Sequence, residues 1–149
     1  MQVQILDKRL KGLDFRPATP GSAGIDLHAC IDEPISLIPG ETKIISAGIK
    51  LTIPSGWAGI IVPRSGVGIK GLILSNTVGI IDSDYRGIIN ICLWNRKNLP
   101  FGERIKIKPL DRIAQLLVIP HYSHSCISVS TDELDKTKRN EDGFGSTGT

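Results

Sequence analysis

The sequence predicts an all-β protein, a jelly-roll-like β-sandwich or barrel, and three observations carry that prediction. Isoleucine supplies 23 of 149 residues and alanine only 6, which suits pleated sheets, because β-branched side chains pack well there and are stiff in helices. Gly and Pro together supply 25 residues, so turns are frequent. About ten short apolar runs recur at regular spacing, and no amphipathic stretch reaches helical length. A chain of this length makes one ordinary domain.

Period-two alternation marks half-buried strands at Val3 and Ile5, at Ile25, Leu27 and Ala29, at Ile49, Leu51 and Ile53, and at Ile105 and Ile107. The runs Ile88 to Trp94 and Ile113 to Ile119 are apolar on both faces. They need cover on both sides, from a second sheet or from another subunit. Turns fall at Pro39-Gly40, Pro54-Ser55-Gly56, Asn98-Leu99-Pro100 and Pro120, and the best place for a short helix is Ser65 to Lys70. From Thr131 the composition changes, with five acids and three bases but one aromatic. Residues 1–130 therefore read as the β domain and 131–149 as a mobile C-terminal tail that orders on binding.

A net charge of +3 with no block of like charge gives no reason to invoke a nucleic-acid partner. No apolar run is long enough to cross a bilayer, and Met1-Gln2-Val3-Gln4 lacks the layout of a signal peptide. A soluble, cytoplasmic chain without a membrane partner is the expectation. Cys30, Cys92 and Cys126 are far apart and form no Cys-x-x-Cys pair, so they read as reduced, buried thiols. His28, His121 and His124 show no ligand spacing.

Gly66 to Gly71 matches the dinucleotide pattern G-x-G-x-x-G. The pattern works only where a strand feeds a helix within a βαβ unit, and here the strand-like Leu72-Ile73-Leu74 follows. Pro63-Arg64-Ser65-Gly66 sets a guanidinium and a hydroxyl on flexible backbone, groups that suit a phosphate; as plain structure it is a turn with Ser65 capping a helix. Leu74 to Gly87 reads as a hairpin followed by an Asp-Ser-Asp turn, in which Asp82 would be a partly desolvated carboxylate able to orient and deprotonate a water. In Asp111-Arg112-Ile113-Ala114-Gln115-Leu116, strand parity puts Gln115 on the face of Ile113 and Leu117. A buried carboxamide there needs a partner, a backbone group or a ligand, or costs about 1–3 kcal/mol. In Arg139 to Gly148, glycines with hydroxyls can wrap a polyphosphate, and Phe144 can stack on a flat ligand.

Taken in order, these segments, with Ala23-Gly24-Ile25-Asp26-Leu27 before them, resemble the five motifs of the homotrimeric dUTPases along nearly the whole chain. The resemblance implies a trimeric jelly roll whose sites lie between subunits and are closed by a tail from the third chain. It implies hydrolysis of dUTP to dUMP and pyrophosphate with Mg2+ on the triphosphate, which limits uracil in DNA and supplies dUMP for thymidylate synthesis. Asp82 matches the general base. Arg64, Ser65, Gly66, Gln115, Arg139, Ser146 and Thr147 match phosphate contacts. Asn76 and the backbone about Gly79 and Ile81 match the uracil-reading segment, Tyr85 the ring against deoxyribose, and Phe144 the ring over uracil. Asp26 matches an acid that holds metal-bound waters, with no direct protein ligand to the metal.

Three departures stand out: Asn140 and Asp142 replace tail glycines, Leu110 replaces a glycine before the Asp-Arg-Ile-Ala-Gln run, and Lys70-Gly71 stands where Lys-His is common. The related dCTP deaminases share the fold but would lack the Ile-Asp-x-Asp-Tyr run and the Gly-Phe-Gly-Ser tail. A non-catalytic nucleotide-binding relative would have no need of Asp82.

Overall fold

Alternating Ile, Leu and Val residues commit the chain to strands, and Gly or Pro ends most of them. The computed structural model describes residues 1–98, 102–123, 128 and 137. Among these, eleven strands occur: β1 (Gln2–Ile5), β2 (Ile25–His28), β3 (Ile35–Leu37), β4 (Thr42–Ser46), β5 (Ile49–Thr52), β6 (Trp57–Val62), β7 (Leu72–Leu74), β8 (Gly79–Ile81), β9 (Asn90–Asn95), β10 (Ile105–Ile107) and β11 (Arg112–Pro120). A 3-10 turn spans Lys8–Leu10 and one helix, α1, spans Ser65–Gly68, where the sequence places its short helix. No helix among the described residues is long and apolar enough to cross a membrane.

Every ladder is antiparallel. One sheet has the order β2-β11-β6-β8, a second β4-β9-β7, and two pairs, β1-β5 and β10-β3, complete the set. Leu27, Leu37, Ile45, Ile49, Leu93, Ile107 and Leu116 are buried where these ladders face one another. Asn95 is buried among them and fully used: its Nδ2 donates to the carbonyls of Leu37 at 3.0 Å and Glu103 at 3.1 Å, and its Oδ1 accepts from the Lys97 amide at 3.2 Å. A satisfied amide ties the ends of three segments without the cost of an orphaned polar group.

Of the two covers expected for β9, a second sheet or another subunit, this chain supplies one on a single face: Ile91, Leu93 and Asn95 point inward, while Asn90 and Trp94 are exposed. Beside them Ile44, opposite Cys92, is 67% exposed. The apolar composition of that strand thus serves two surfaces, only one of which this chain covers. β1, expected half-buried at Val3 and Ile5, is mostly exposed, with Val3 alone half-buried, because among the described residues β5 is its sole strand neighbour.

The N-terminal segment is pinned at Gly48, whose carbonyl accepts from the amides of Leu6 at 2.8 Å and Asp7 at 3.1 Å. Asp7 accepts from Arg9 Nε at 2.9 Å and from the Arg9 amide at 2.9 Å. The Arg9 side chain, then its amide, hold the Asp7 carboxyl at a pKa of about 2 against an ordinary 3.8. A depressed folded pKa means that the ionised form stabilises the fold. That contribution is complete above pH 3.8 and fades as the pH falls toward about 2. We expect Asp7→Asn to lower the melting temperature at neutral pH and to shrink the fall seen on acidification through this window; thermal scans of both proteins at neutral and acid pH check it, and an equal acid drop in the variant would assign the acid sensitivity elsewhere. Cys30 lies alongside, its thiol pushed up to about 11 by burial and by Asp7. Cys30 and Cys92 are free thiols, half-buried rather than fully buried as expected.

Candidate active site

Strand register assembles the first half of the site. Gln115 of β11 lies opposite Asp26 of β2 and Val62 of β6, and directly opposed residues share a face. Arg64 comes two residues after Val62 on extended backbone, φ −84° and ψ 139°, which returns it to that face. A bulge between Arg112 and Ala114 completes the set. Simple parity predicts Ile113 beside Gln115; the extra residue turns Ile113 into the core, 2% exposed, and sets Arg112 opposite His28, two residues along β2 from Asp26. Bulges commonly re-aim side chains in this way.

The result is a groove of about 670 Å3 lined by residues that include Gly24, Asp26, Arg64, Ser65, Gly66, Arg112 and Gln115. Gln115 is half-buried, and a backbone group satisfies it, since its Nε2 donates to the Pro63 carbonyl at 3.0 Å. Gly24 makes room for it: a Cβ there would overlap the carboxamide oxygen and stand 3.1 Å from Cδ. Asp26 lies 2.7 Å from Arg64 Nε and accepts from an Arg112 terminal nitrogen at 3.2 Å. Ser65 does not cap the helix; Arg64 is the N-cap residue and makes no side-chain cap bond. His28, one residue beyond Leu27, is held below the usual imidazole range chiefly by burial, and its Nδ1 is a buried atom without a partner.

Of the other predicted residues, Asn76 lies on the connection from β7 to β8, Gly79 and Ile81 on β8, and Asp82 and Tyr85 just beyond it. This connection is no hairpin: β7 pairs with β9 and β8 pairs with β6, so residues 75–78 carry the chain from one sheet to the other. Thr77 sits at φ +61°, a left-handed conformation that costs a β-branched residue about 1–2 kcal/mol. Its strain falls at the segment assigned to base recognition, as strain often does at functional loops. Gly79 lies opposite Ile61, and an added Cβ would stand 3.2 Å from Ile61 Cβ and 3.7 Å from Asn76 Nδ2. Ile81 lies opposite Gly59.

Asp82, expected to be partly desolvated, is exposed in the single chain. It follows the end of an edge strand, and no other segment of the described chain covers it. Its carbonyl accepts from the Tyr85 amide at 3.2 Å, closing a turn. The Tyr85 hydroxyl donates to the Ile88 carbonyl at 3.0 Å, and Gly87 leaves space for the ring, since a Cβ there would lie 2.9 Å from Tyr85 Cε2.

The two halves do not meet within the chain. Ile81 pairs with Gly59, and from Gly59 to Arg64 runs five residues of extended backbone, about 16 Å. Among the described residues Asp82 and the Arg64 groove therefore lie toward opposite ends of β6. Arg139, Phe144, Ser146 and Thr147 lie outside the described residues.

Sequence reasoning missed Arg112, Gly24 and Gly87. Arg112 opens its strand next to a bulge that no periodicity announces, and each glycine is explained only by the side chain folded over it. Among the described residues no group of three His, Cys, Asp or Glu could hold a metal ion. A lone groove carboxylate between arginines suits Mg2+ that arrives on phosphates and keeps its waters.

A family model described as dUTPase matches residues 11–148. The chain is 45% identical over 150 residues to the deoxyuridine 5'-triphosphate nucleotidohydrolase of Thiobacillus denitrificans, covering 99% of each. It is 48% identical over 151 residues to that of Baumannia cicadellinicola, covering 99% of this chain and 97% of the other. The fold matches the Staphylococcus bacteriophage 80alpha dUTPase G164S mutant with dUpNHpp at a TM-score of 0.83 and 27% identity, covering 99% and 98%.

Proposed function

The chain belongs to the dUTPase family and is a dUTP diphosphatase, and from that premise we propose how its own residues divide the work. The groove takes the triphosphate. Arg64 supplies charge-assisted bonds, Ser65 a hydroxyl donor, the backbone at Gly66 an N–H, and Gln115 an amide already fixed by Pro63 and Gly24. Asn76, with the backbone at Gly79 and Ile81, reads uracil, and the Tyr85 ring packs against deoxyribose where a 2′-hydroxyl would clash. Asp82 orients a water and takes its proton as the water attacks the α-phosphorus in line; the α–β bridging bond breaks, and dUMP and pyrophosphate leave. A carboxylate is a modest base at neutral pH, so positioning and charge neutralisation supply most of the acceleration. Asp26 would hold the waters of a Mg2+ ion carried in on the phosphates, and that ion would supply part of the neutralisation.

The observation that carries this reading is the separation along β6. A groove built for phosphates and a base about 16 Å away form one site only if different subunits supply them. The exposed Ile44 and Ile80, each 67% exposed, offer apolar surface for such contacts. The separation calls for at least two subunits, and the family resemblance extends this to a homotrimer in which residues 131–149 of a further subunit close the site through Arg139, Phe144, Ser146 and Thr147. Incubation with dUTP, dCTP and dTTP should consume only dUTP, and light scattering should give three chains. A stable monomer with full activity would refute the divided site.

A further inference from the structure

We infer that Asp26 makes the phosphate groove select a metal-bound triphosphate over a free one, by acting as the resident counter-ion of the arginines that the phosphates need. Its carboxylate lies 2.7 Å from Arg64 Nε and 3.2 Å from Arg112. Two guanidiniums thus share one carboxylate before any ligand arrives. A free triphosphate has to take Arg64 from Asp26 and then face the carboxylate it displaced.

The backbone that carries Asp26 is fixed at that encounter. Asp26 sits on β2 between the buried Ile25 and Leu27, in register with Gln115. Gln115 cannot relieve it either, because its amide is held by the Pro63 carbonyl and fills the space above Gly24. A divalent cation on the phosphates reverses the sign of the encounter: the carboxylate that repels a bare anion then faces a hydrated cation, and the arginines pass to the phosphates without leaving a buried charge unpaired. Discrimination by an unfavourable contact with the wrong form is a common route to specificity, and it operates here through a residue that sequence alone marks only as an aid to the metal.

The inference rests on the groove being the triphosphate site, and one set of binding measurements separates the two. Calorimetry with the slowly hydrolysed analogue dUpNHpp, with Mg2+ or with chelator, needs no turnover. Wild-type protein should bind the analogue at least about tenfold more weakly without metal. Asp26→Asn keeps the shape and removes the charge; it should bind the metal-free analogue about fivefold or more tightly than wild type, and the effect of Mg2+ should shrink to a few-fold. Asp26→Ser serves the same purpose should the Asn variant fold poorly. Metal-free binding no tighter than wild type in the folded variants overturns the inference. Arg64→Gln should weaken the analogue under both conditions. If Arg64→Gln changes neither while Asp26→Asn is silent, it is the assignment of the groove that fails; if Arg64 matters and Asp26→Asn is silent, only the selection by Asp26 fails.

Discussion

Asp82→Asn is expected to lower kcat by a factor of roughly a hundred to ten thousand, the range that a positioned general base supplies, while leaving the melting temperature and the affinity for dUpNHpp close to wild type. The stability half of this expectation comes from the turn in which Asp82 stands. Its side chain is exposed, and the bond it contributes to the fold is the backbone acceptance from the Tyr85 amide, which Asn retains. The kinetic half comes from chemistry: an amide oxygen can still accept a hydrogen bond from water but does not take up its proton. An interaction needed only in the transition state lowers kcat and kcat/KM together and leaves binding alone. Single-turnover measurements separate chemistry from product release, and a variant with wild-type kcat would reduce Asp82 to a turn residue.

The largest expected loss of stability belongs to Gly48→Ala. Gly48 adopts φ +65°, where an L-residue pays about 1–2 kcal/mol. Its Cα also faces a filled space. An added Cβ would run into Cys30 Sγ and stand 2.8 Å from Asp7 Cβ, and overpacking of this kind costs about 1–3 kcal/mol. Moving the backbone to relieve the clash would disturb the carbonyl that anchors Leu6 and Asp7. Together the terms give about 2–5 kcal/mol, or a fall in melting temperature of roughly 5–15 °C for a chain of this size. Scans at one fixed protein concentration measure it, because subunit association adds its own contribution. A drop of less than a degree would mean that Asp7 and Cys30 yield easily.

The strands were legible because their pattern is local. Ile49, Leu51 and Ile53 alternate with Lys50 and Thr52, and the burial follows that alternation. The convergence of Arg64, Ser65, Gly66 and Gln115 was also legible, because they are donor types that a phosphate takes and they line one groove. What was hidden depends on contacts between distant segments. The bulge at Ile113 shifts parity by one residue and leaves no mark in composition, so Arg112 went unassigned. The turn at Ser75 to Val78 looks like a hairpin because apolar runs flank it, yet the runs pair with different strands. Leu110 is the instructive case: it departs from a family glycine, and the backbone keeps the glycine conformation at φ +64°. The Leu side chain packs against the core, and that contact offsets part of the strain.

Asp82 and Arg64 stand toward opposite ends of β6, so on the divided site proposed above, damage to one and damage to the other fall in different half-sites. Two inactive chains, one lacking each residue, can therefore repair one another when they assemble together. In an equal, random mixture a site is whole only when its base comes from the Arg64-deficient chain and its phosphate groove from the Asp82-deficient chain, which chance grants to about one site in four. A cell carrying both lesions on separate copies of the gene would keep a working share of its enzyme, whereas a cell carrying both on one copy, and no other, would keep none.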